Sequence, residues 1–516
     1  MTENIINLFL LKMNRLNYFF LLFCIFALSF IASAQTLPFR SATITVSSEI
    51  RNSFVTGGRL LLYVSRERER EPRDHAEVKF GFTLTNWDGA SPFILDAKDK
   101  GLLHTDLAEG FIPLPKKFYY QAIYKQNIDD ALDDIPGNLV TSVDSVEVNG
   151  PVNLTLHLNR LIPPFKIVEN KFVKPIVMQS KLLSGFSGHP RYLRATILLP
   201  ASYFDDPGKS YPICYHVPGL NGRYEGINGM MANKPFTDWW FSKAAPQIIY
   251  VFLDSQGPYG DSYQVDSENN GPCGKALTEE LIPEIEKQVH YNKDSGKRYL
   301  AGASTGGWVV LGLQIFYPDF FDGAWAYSPD PVEFEHYGLI NIYKDESAFY
   351  NRFDYLQPES RTIYGEPKGS MKDAILDEDV LSRTNDYRVS GEQFGAYNAV
   401  FGPKGKDSLP TMLIDPVTGK IDHAIAVQWE KYDLKKVLEK NWSTLGPKLQ
   451  GKIWIWTGDM DMLYSNVATR FLKMYLDKTE NPKSDAKISF TPMAGHCAEW
   501  SDVAVLNMVA EKAAKK

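Results

Sequence analysis

The hexapeptide Gly302-Ala303-Ser304-Thr305-Gly306-Gly307 carries residue types at a spacing that points directly to chemistry. It contains the pattern G-x-S-x-G, preceded by the strand-like run Arg298-Tyr299-Leu300-Ala301 and followed by an apolar stretch from Val309 to Phe316 that reads as a helix. A serine in a tight strand-to-helix turn presents its hydroxyl beyond the strand end, and flanking glycines let neighbouring backbone pass without meeting a side chain. A glycine-rich turn with no chemical role would use the same residues. The strand before and the helix after favour Ser304 as a nucleophile.

A serine hydroxyl is a weak nucleophile until a base takes its proton. His496 is the one histidine after His423, and it lies in the loop Met493-Ala494-Gly495-His496 that follows the run 487–491. In a fold that orders its residues Ser, Asp, His along the chain, this is where the base belongs. The acid, which orients the imidazole and stabilises its charged form, is expected after the preceding strand. There Thr457-Gly458-Asp459-Met460-Asp461 offers two carboxylates. Asp461, third after the glycine, is the expected acid, with Asp459 capping or bracing the helix near Asn466. An acyl-transfer site also needs two backbone N–H donors for the oxyanion. Thr305, directly after the serine, supplies one. Leu220, in the loop Pro218-Gly219-Leu220-Asn221-Gly222, is the candidate for the other.

The elements that must position these residues follow two grammars. From residue 41 to about 161 short runs alternate apolar and polar, as in Ala42-Thr43-Ile44-Thr45-Val46, which predicts half-buried antiparallel strands and a β-sandwich-like accessory module over 35–162. The segment 163–190, with Pro163-Pro164 at its start and Pro175 further on, reads as a linker, since a proline cannot donate to a ladder. From 191 to 516 strands alternate with helices, and runs such as 212–217 and 247–253 are nearly all apolar, as strands buried on both faces should be. The fold class is therefore α/β, with a mainly parallel sheet and helices on both faces. About 120 residues, 331–450, separate two strands that a compact unit would join in far fewer, and they are expected to form an inserted cap. Asp254-Ser255 and Gly271-Pro272-Cys273-Gly274 follow a strand end, the side on which parallel sheets bind ligands. They are candidates for lining a pocket, a place that loop structure alone also explains. Trp239-Trp240 reads as core packing rather than a sugar platform.

The N-terminus has its own pattern. Lys12 and Arg15 precede a 13-residue apolar run from Tyr18 to Phe30 that ends at Ala32-Ser33-Ala34. That is the form of a signal peptide over 1–34, so export to the periplasm or beyond is expected. The run is too short to span a membrane, and Cys24 follows a bulky Phe23, which argues against a lipid anchor. The composition, 44% hydrophobic and 23% charged, is that of a globular protein. The 55 basic and 62 acidic side chains leave a net charge of -7, which argues against a nucleic-acid partner. The histidines and cysteines lack H-x-x-x-H or C-x-x-C spacing, so neither a metal nor another cofactor is expected. Cys214, Cys273 and Cys497 allow at most one internal disulfide.

GASTGG, HVPGLNG, LTEELIPEIE, GDMD and AGHC together resemble the putative-esterase (esterase D-like) family of α/β-hydrolases, similar to feruloyl, acetyl-xylan and enterochelin esterases, over 191–509. The resemblance implies hydrolysis of carboxylic esters by a Ser304-Asp461-His496 triad through an acyl-enzyme, without metal, on a small-molecule or carbohydrate-linked ester. Two departures stand out. Pro218 occupies the place where relatives often carry the histidine of an HG pair, and 331–450 is much longer than in short members. An acyltransferase using the same triad and a binding protein on an inactive hydrolase scaffold are the alternatives. Labelling by a fluorophosphonate separates the second from an enzyme, and product analysis with alcohol acceptors separates the first from a hydrolase.

Overall fold

The computed structural model describes residues 37–68, 70–105, 116–150, 152–291 and 297–514; the leader expected at 1–34 lies outside them. The alternating runs of the front region join into one nine-stranded sheet. Phe39–Val46, Arg59–Ser65, Val78–Thr83, Lys117–Lys125 and Val152–Leu161 are its longer members. Along Val152–Leu161 the leucines 154, 156 and 158 are buried while residues 153, 155 and 157 are exposed, the period-two signature of a sheet with one dry face. The sheet curls so that this face packs on itself through Ile44, Leu62, Phe80, Phe118 and Leu156. Its first and last long strands lie side by side and parallel.

The second sheet has eight strands: β1 (Val173–Ser180), β2 (Arg191–Leu198), β3 (Ile213–Val217), β4 (Ile249–Leu253), β5 (Arg298–Ala303), β6 (Gly323–Tyr327), β7 (Ile453–Gly458) and β8 (Lys487–Thr491). Their spatial order is β1-β2-β4-β3-β5-β6-β7-β8. Only β2 runs against the others, antiparallel to β1 and β4; β3 to β8 are paired in parallel. β4 and β6 are buried at every residue. This is the α/β-hydrolase fold. The helix after β5 is α1 (Thr305–Phe316), buried along all but its last residue.

The segment 163–190 is not a linker throughout, since β1 pairs with β2 from Val173↔Leu198 to Ser180↔Arg191. Pro175 misled the sequence reading: a proline is tolerated in an edge strand, where its missing N–H leaves no partner stranded. Behind β1, Lys181–Ser187 forms a short helix whose first amides, those of Lys181 and Leu182, donate to Glu280.

Residues 331–450 contain the hairpin Pro358–Arg361 with Pro367–Ser370, then α2 (Met371–Leu381), α3 (Gln393–Phe401) and α4 (Leu434–Leu449). The last is a crossover helix of the sheet, packed on α1 and leading into β7, so the insertion proper is shorter than expected. It does not form a core of its own: Ile375, Tyr397, Phe401 and Trp429 belong to the same apolar cluster as Val217, Leu300 and Val309 of the sheet and α1. Its other side grips the front sheet. Arg59 donates to the carbonyl of Val380 at 2.8 Å, and Lys125 Nζ to that of Leu381 at 2.9 Å, placing two buried cations on the free carbonyls that end α2. Burial lowers the pKa of Lys125 to about 8. Gly81 permits this approach, because a Cβ there would lie 2.2 Å from the Val380 carbonyl oxygen. Trp240 is core, with its indole N–H donating to the Leu199 carbonyl at 3.0 Å. Among the described residues Cys214, Cys273 and Cys497 are all free thiols.

Candidate functional site

β5 ends at Ala303 and α1 begins at Thr305, leaving Ser304 alone in the turn with φ 57° and ψ -125°. A non-glycine residue adopts that backbone only when its surroundings force it. The forcing contacts are visible at the flanking glycines. A Cβ on Gly306 would sit 2.1 Å from the Val217 carbonyl oxygen, and one on Gly302 would sit 2.4 Å from that of Gly306. The turn is thus wedged against the end of β3, and the Ser304 N–H donates to the Tyr327 carbonyl at 2.9 Å at the end of β6.

The loops after β7 and β8 are locked to each other. Asp459 N–H donates to the Thr491 carbonyl and Met460 N–H to that of Ala494, both at 2.9 Å. A Cβ on Gly458 would lie 2.2 Å from the Ala494 carbonyl oxygen, so the glycine of GDMD is required by close backbone contact. Across this contact His496 Nδ1 meets Asp461 Oδ2 at 2.8 Å. Asp461 is fully buried, and its other carboxylate oxygen accepts from the Leu463 N–H at 2.9 Å. His496 Nε2 is buried and has no hydrogen-bond partner. Burial disfavours the charged imidazole, but the hydrogen bonds and charges of Asp461 and Cys497 outweigh it, and the His496 pKa lies above its ordinary value. Asp459 points elsewhere, pairing with Arg470 on α5 (Ser465–Leu476).

One dipeptide connects the serine turn to the histidine loop. Tyr327 accepts the Ser304 N–H, and the next residue, Ser328, accepts the Cys497 N–H at 3.0 Å through its Oγ. Ser304, Asp461 and His496 are therefore gathered at the carboxyl ends of β5, β7 and β8, where parallel sheets carry their sites. The candidate oxyanion donors flank the serine. Thr305 N–H opens α1 and has no carbonyl one turn before it. Leu220 follows Gly219, whose Cβ position would lie 3.6 Å from the Ser304 Cβ.

Two residues near the site carry no sequence motif. Asp330, fully enclosed behind the serine, accepts from the Tyr263 hydroxyl at 2.5 Å, the Thr305 hydroxyl at 2.9 Å and the Gln393 amide at 3.2 Å. Burial raises its pKa, and the Tyr263 and Thr305 hydrogen bonds oppose the rise. Its place two residues past Ser328, in the loop that leaves β6, was the available signal. Arg361, on the hairpin of the insertion, donates to the carbonyls of Asp461 at 3.0 Å and Asp459 at 3.3 Å and lies over the Tyr464 ring. Nothing in the sequence marked it. A small cavity of about 60 Å³ adjoins these residues, bounded by Asp330 and Leu463 and by Tyr337, Gln393, Phe394 and Tyr397 of the insertion.

A sequence profile of the family described as Putative esterase matches residues 189–484, more than half of the chain. No curated protein sequence matches. Among solved structures the chain is similar to a ferulic acid esterase at 14% identity and a TM-score of 0.41, covering 67% of this chain and 98% of that one. It is similar to an S-formylglutathione hydrolase from Agrobacterium tumefaciens at 12% identity and a TM-score of 0.37, covering 68% and 99%. A ferulic acid esterase from Anaeromyces mucronatus is similar at 14% identity and a TM-score of 0.31, covering 68% and 93%.

Proposed function

This chain belongs to the Putative esterase family, and on that premise we propose that it is an exported serine esterase in which Ser304 is the nucleophile, His496 the base and Asp461 the orienting acid. The observation that carries the reading is the Asp461–His496 pair at 2.8 Å, which leaves Nε2 as the free nitrogen, together with Ser304 in a strained turn that rests on Tyr327, the neighbour of the Ser328 that holds the histidine loop. Nδ1 carries its proton toward the carboxylate, so Nε2 is the nitrogen with a lone pair to accept another.

His496 Nε2 takes the Ser304 proton as Oγ attacks the ester carbonyl carbon. The carbonyl oxygen becomes an oxyanion held by the N–H groups of Thr305 and Leu220. Collapse breaks the bond to the alkoxy oxygen, which leaves with the proton from His496, and an acyl-Ser304 remains. Water then gives its proton to His496 and attacks the acyl carbon, releasing the acid and restoring the serine. No metal or organic cofactor has a part in these steps.

The substrate class is a small-molecule or carbohydrate-linked ester, and the insertion is the element proposed to select among such esters. Its residues Tyr337, Gln393, Phe394 and Tyr397 bound the cavity beside Asp330. Replacing the insertion short of α4 by a brief linker is expected to alter relative rates across acyl and alcohol sizes. Equal relative rates would remove it from recognition. Export rests on the leader-like pattern of 1–34, and a mature N-terminus at Gln35 is the expected product. The decisive experiment is fluorophosphonate labelling of wild type and Ser304→Ala alongside p-nitrophenyl acetate hydrolysis. Labelling lost in a well-folded variant supports the reading, and labelling retained at wild-type level refutes it.

A further inference from the structure

A second cavity, of about 520 Å³, opens where the front sheet, the central sheet and the insertion meet. Its volume lies in the range of small-molecule sites, roughly 300–1,000 Å³. None of Ser304, Asp461 and His496 lines it. Asp254, Ser255 and Cys273 do, so the loops after β4 face this cavity.

Its charge is unusual. Arg191 and Arg194 of β2 and Arg383, just past α2, share its wall, and among the described residues none of the three has a carboxylate within ion-pair distance. Arg191 and Arg383 donate only to the backbone carbonyls of Asp129 and Asp130, at 3.5 and 3.0 Å, and Arg383 Nε is buried with no partner. Two nearby acids are already engaged: Asp129 pairs with His189 at 2.8 Å and Asp130 with Arg223. Asp254, the one carboxylate among the described residues of the wall, lies 3.6 Å from Arg223, and its buried Oδ2 has no hydrogen bond. All three arginines are half-buried; partial withdrawal of a guanidinium from water without a counter-charge is unfavourable, and burial lowers the pKa of both Arg191 and Arg383. The wall also holds neutral groups in want of partners. Gln264 is 4% exposed and neither its amide oxygen nor its nitrogen is hydrogen-bonded; Gln256 Oε1 and Asn270 Nδ2 are buried and unpartnered too. Leu193, Val389 and Leu409 supply apolar surface between them.

We propose that this cavity is a second ligand site, separate from Ser304, which binds a small hydroxylated organic carboxylate. The planar forks of the arginines suit a carboxylate, which accepts two parallel N–H bonds from one guanidinium. The amides of Gln264, Gln256 and Asn270 both donate and accept, as hydroxyl groups require. The apolar side chains cover a carbon skeleton. Such an acid has two sources, the sugar acids of glycans and free aromatic hydroxy acids, and the same site chemistry serves both.

The test is calorimetric titration of the full mature chain with D-glucuronate and with 4-hydroxycinnamate, each beside its primary amide as a neutral control. At least one acid is expected to bind with a Kd of about 1 mM or tighter, and its amide at least about tenfold more weakly, as the loss of a charge-assisted pair implies. The acid that binds identifies the source. Arg383→Gln and Arg194→Gln should each weaken binding by about tenfold or more. Arg383→Gln also removes a bond to the front sheet, so Arg194→Gln, whose guanidinium makes no hydrogen bond or ion pair, keeps the test valid if the first variant unfolds. Ser304→Ala and enzyme blocked by a fluorophosphonate should bind as wild type does. Absence of binding by both acids, equal binding of acid and amide, full affinity in folded Arg194→Gln, or loss of binding on blocking Ser304 would each overturn the proposal.

Discussion

The buried Asp461–His496 pair and the open, arginine-lined cavity are both polar regions, yet they meet their charges in opposite ways. Asp461 is satisfied from within, by His496 Nδ1 and the Leu463 N–H, and only one nitrogen of the pair is left over. The cavity leaves three guanidiniums without a carboxylate and several amides without partners. A satisfied network is rigid and holds one proton-accepting atom in place. An unsatisfied one gains when a ligand supplies what is missing. The contrast matches the two roles proposed for them, chemistry for the first and binding for the second.

The largest effect is expected at the serine. Ser304→Ala should lower ester hydrolysis by ~10⁶-fold, the scale on which removal of a serine nucleophile acts, while thermal unfolding stays near that of wild type. Turnover of p-nitrophenyl acetate at an undiminished rate would place the nucleophile elsewhere. Asp461→Asn comes next, with a loss of about 10³–10⁴-fold in kcat, because the amide favours the wrong imidazole tautomer.

The pH profile sharpens the same point. The proposed mechanism needs neutral His496, and its pKa is raised, so activity should climb about tenfold per pH unit and level off above the ordinary histidine value of about 6.5. Asp461→Asn should move that midpoint down. Stability carries the opposite sign. A raised folded-state pKa contributes stability that is full below about pH 6.5 and is lost as pH rises through the folded value; urea titrations at pH 6 and above the activity midpoint would show it. A midpoint at or below 6.5 in wild type would contradict the raised pKa.

Smaller effects probe the braces. Arg361→Gln removes both donors from the acid loop and should lower kcat by about tenfold with KM little changed, since the guanidinium positions the acid without touching substrate. Unchanged kcat in Arg361→Gln would leave the hairpin no part in holding Asp461. Asp459→Asn loses a half-exposed ion pair with Arg470, worth no more than about 1 kcal/mol, and its kcat should fall by less than tenfold. A loss in Asp459→Asn exceeding that in Asp461→Asn would exchange their roles.

Much of the candidate site was legible because its logic is local. The glycines of the serine turn and of GDMD stand where backbone meets backbone, and a residue type that only close approach explains is visible in sequence. Spacing favoured Asp461 over Asp459 as the expected acid, and in the structure Asp461 meets His496 while Asp459 meets Arg470. The central sheet announced itself through runs apolar on both faces. Where the reading faltered, the cause was context. Pro175 signals a linker unless the strand lies at an edge, and edge position is a property of the assembled sheet. The length of 331–450 revealed an insertion but not that α4 belongs to the sheet, nor that the rest shares the sheet's core.

The amino-acid order alone carries the set of elements and the residue types at each strand end, because strand period, glycine spacing and the order Ser304, Asp461, His496 are written along one dimension. Which groups meet emerges only on folding: Arg361 on the acid loop, Arg59 and Lys125 on the end of α2, Asp330 behind the serine, and three arginines from β2 and the insertion around one cavity. A side chain's partner is set by packing between separate segments, 25 residues apart for Asp330 and Thr305 and 321 for Arg59 and Val380. A lone arginine or aspartate carries no periodicity by which such a meeting could be foreseen.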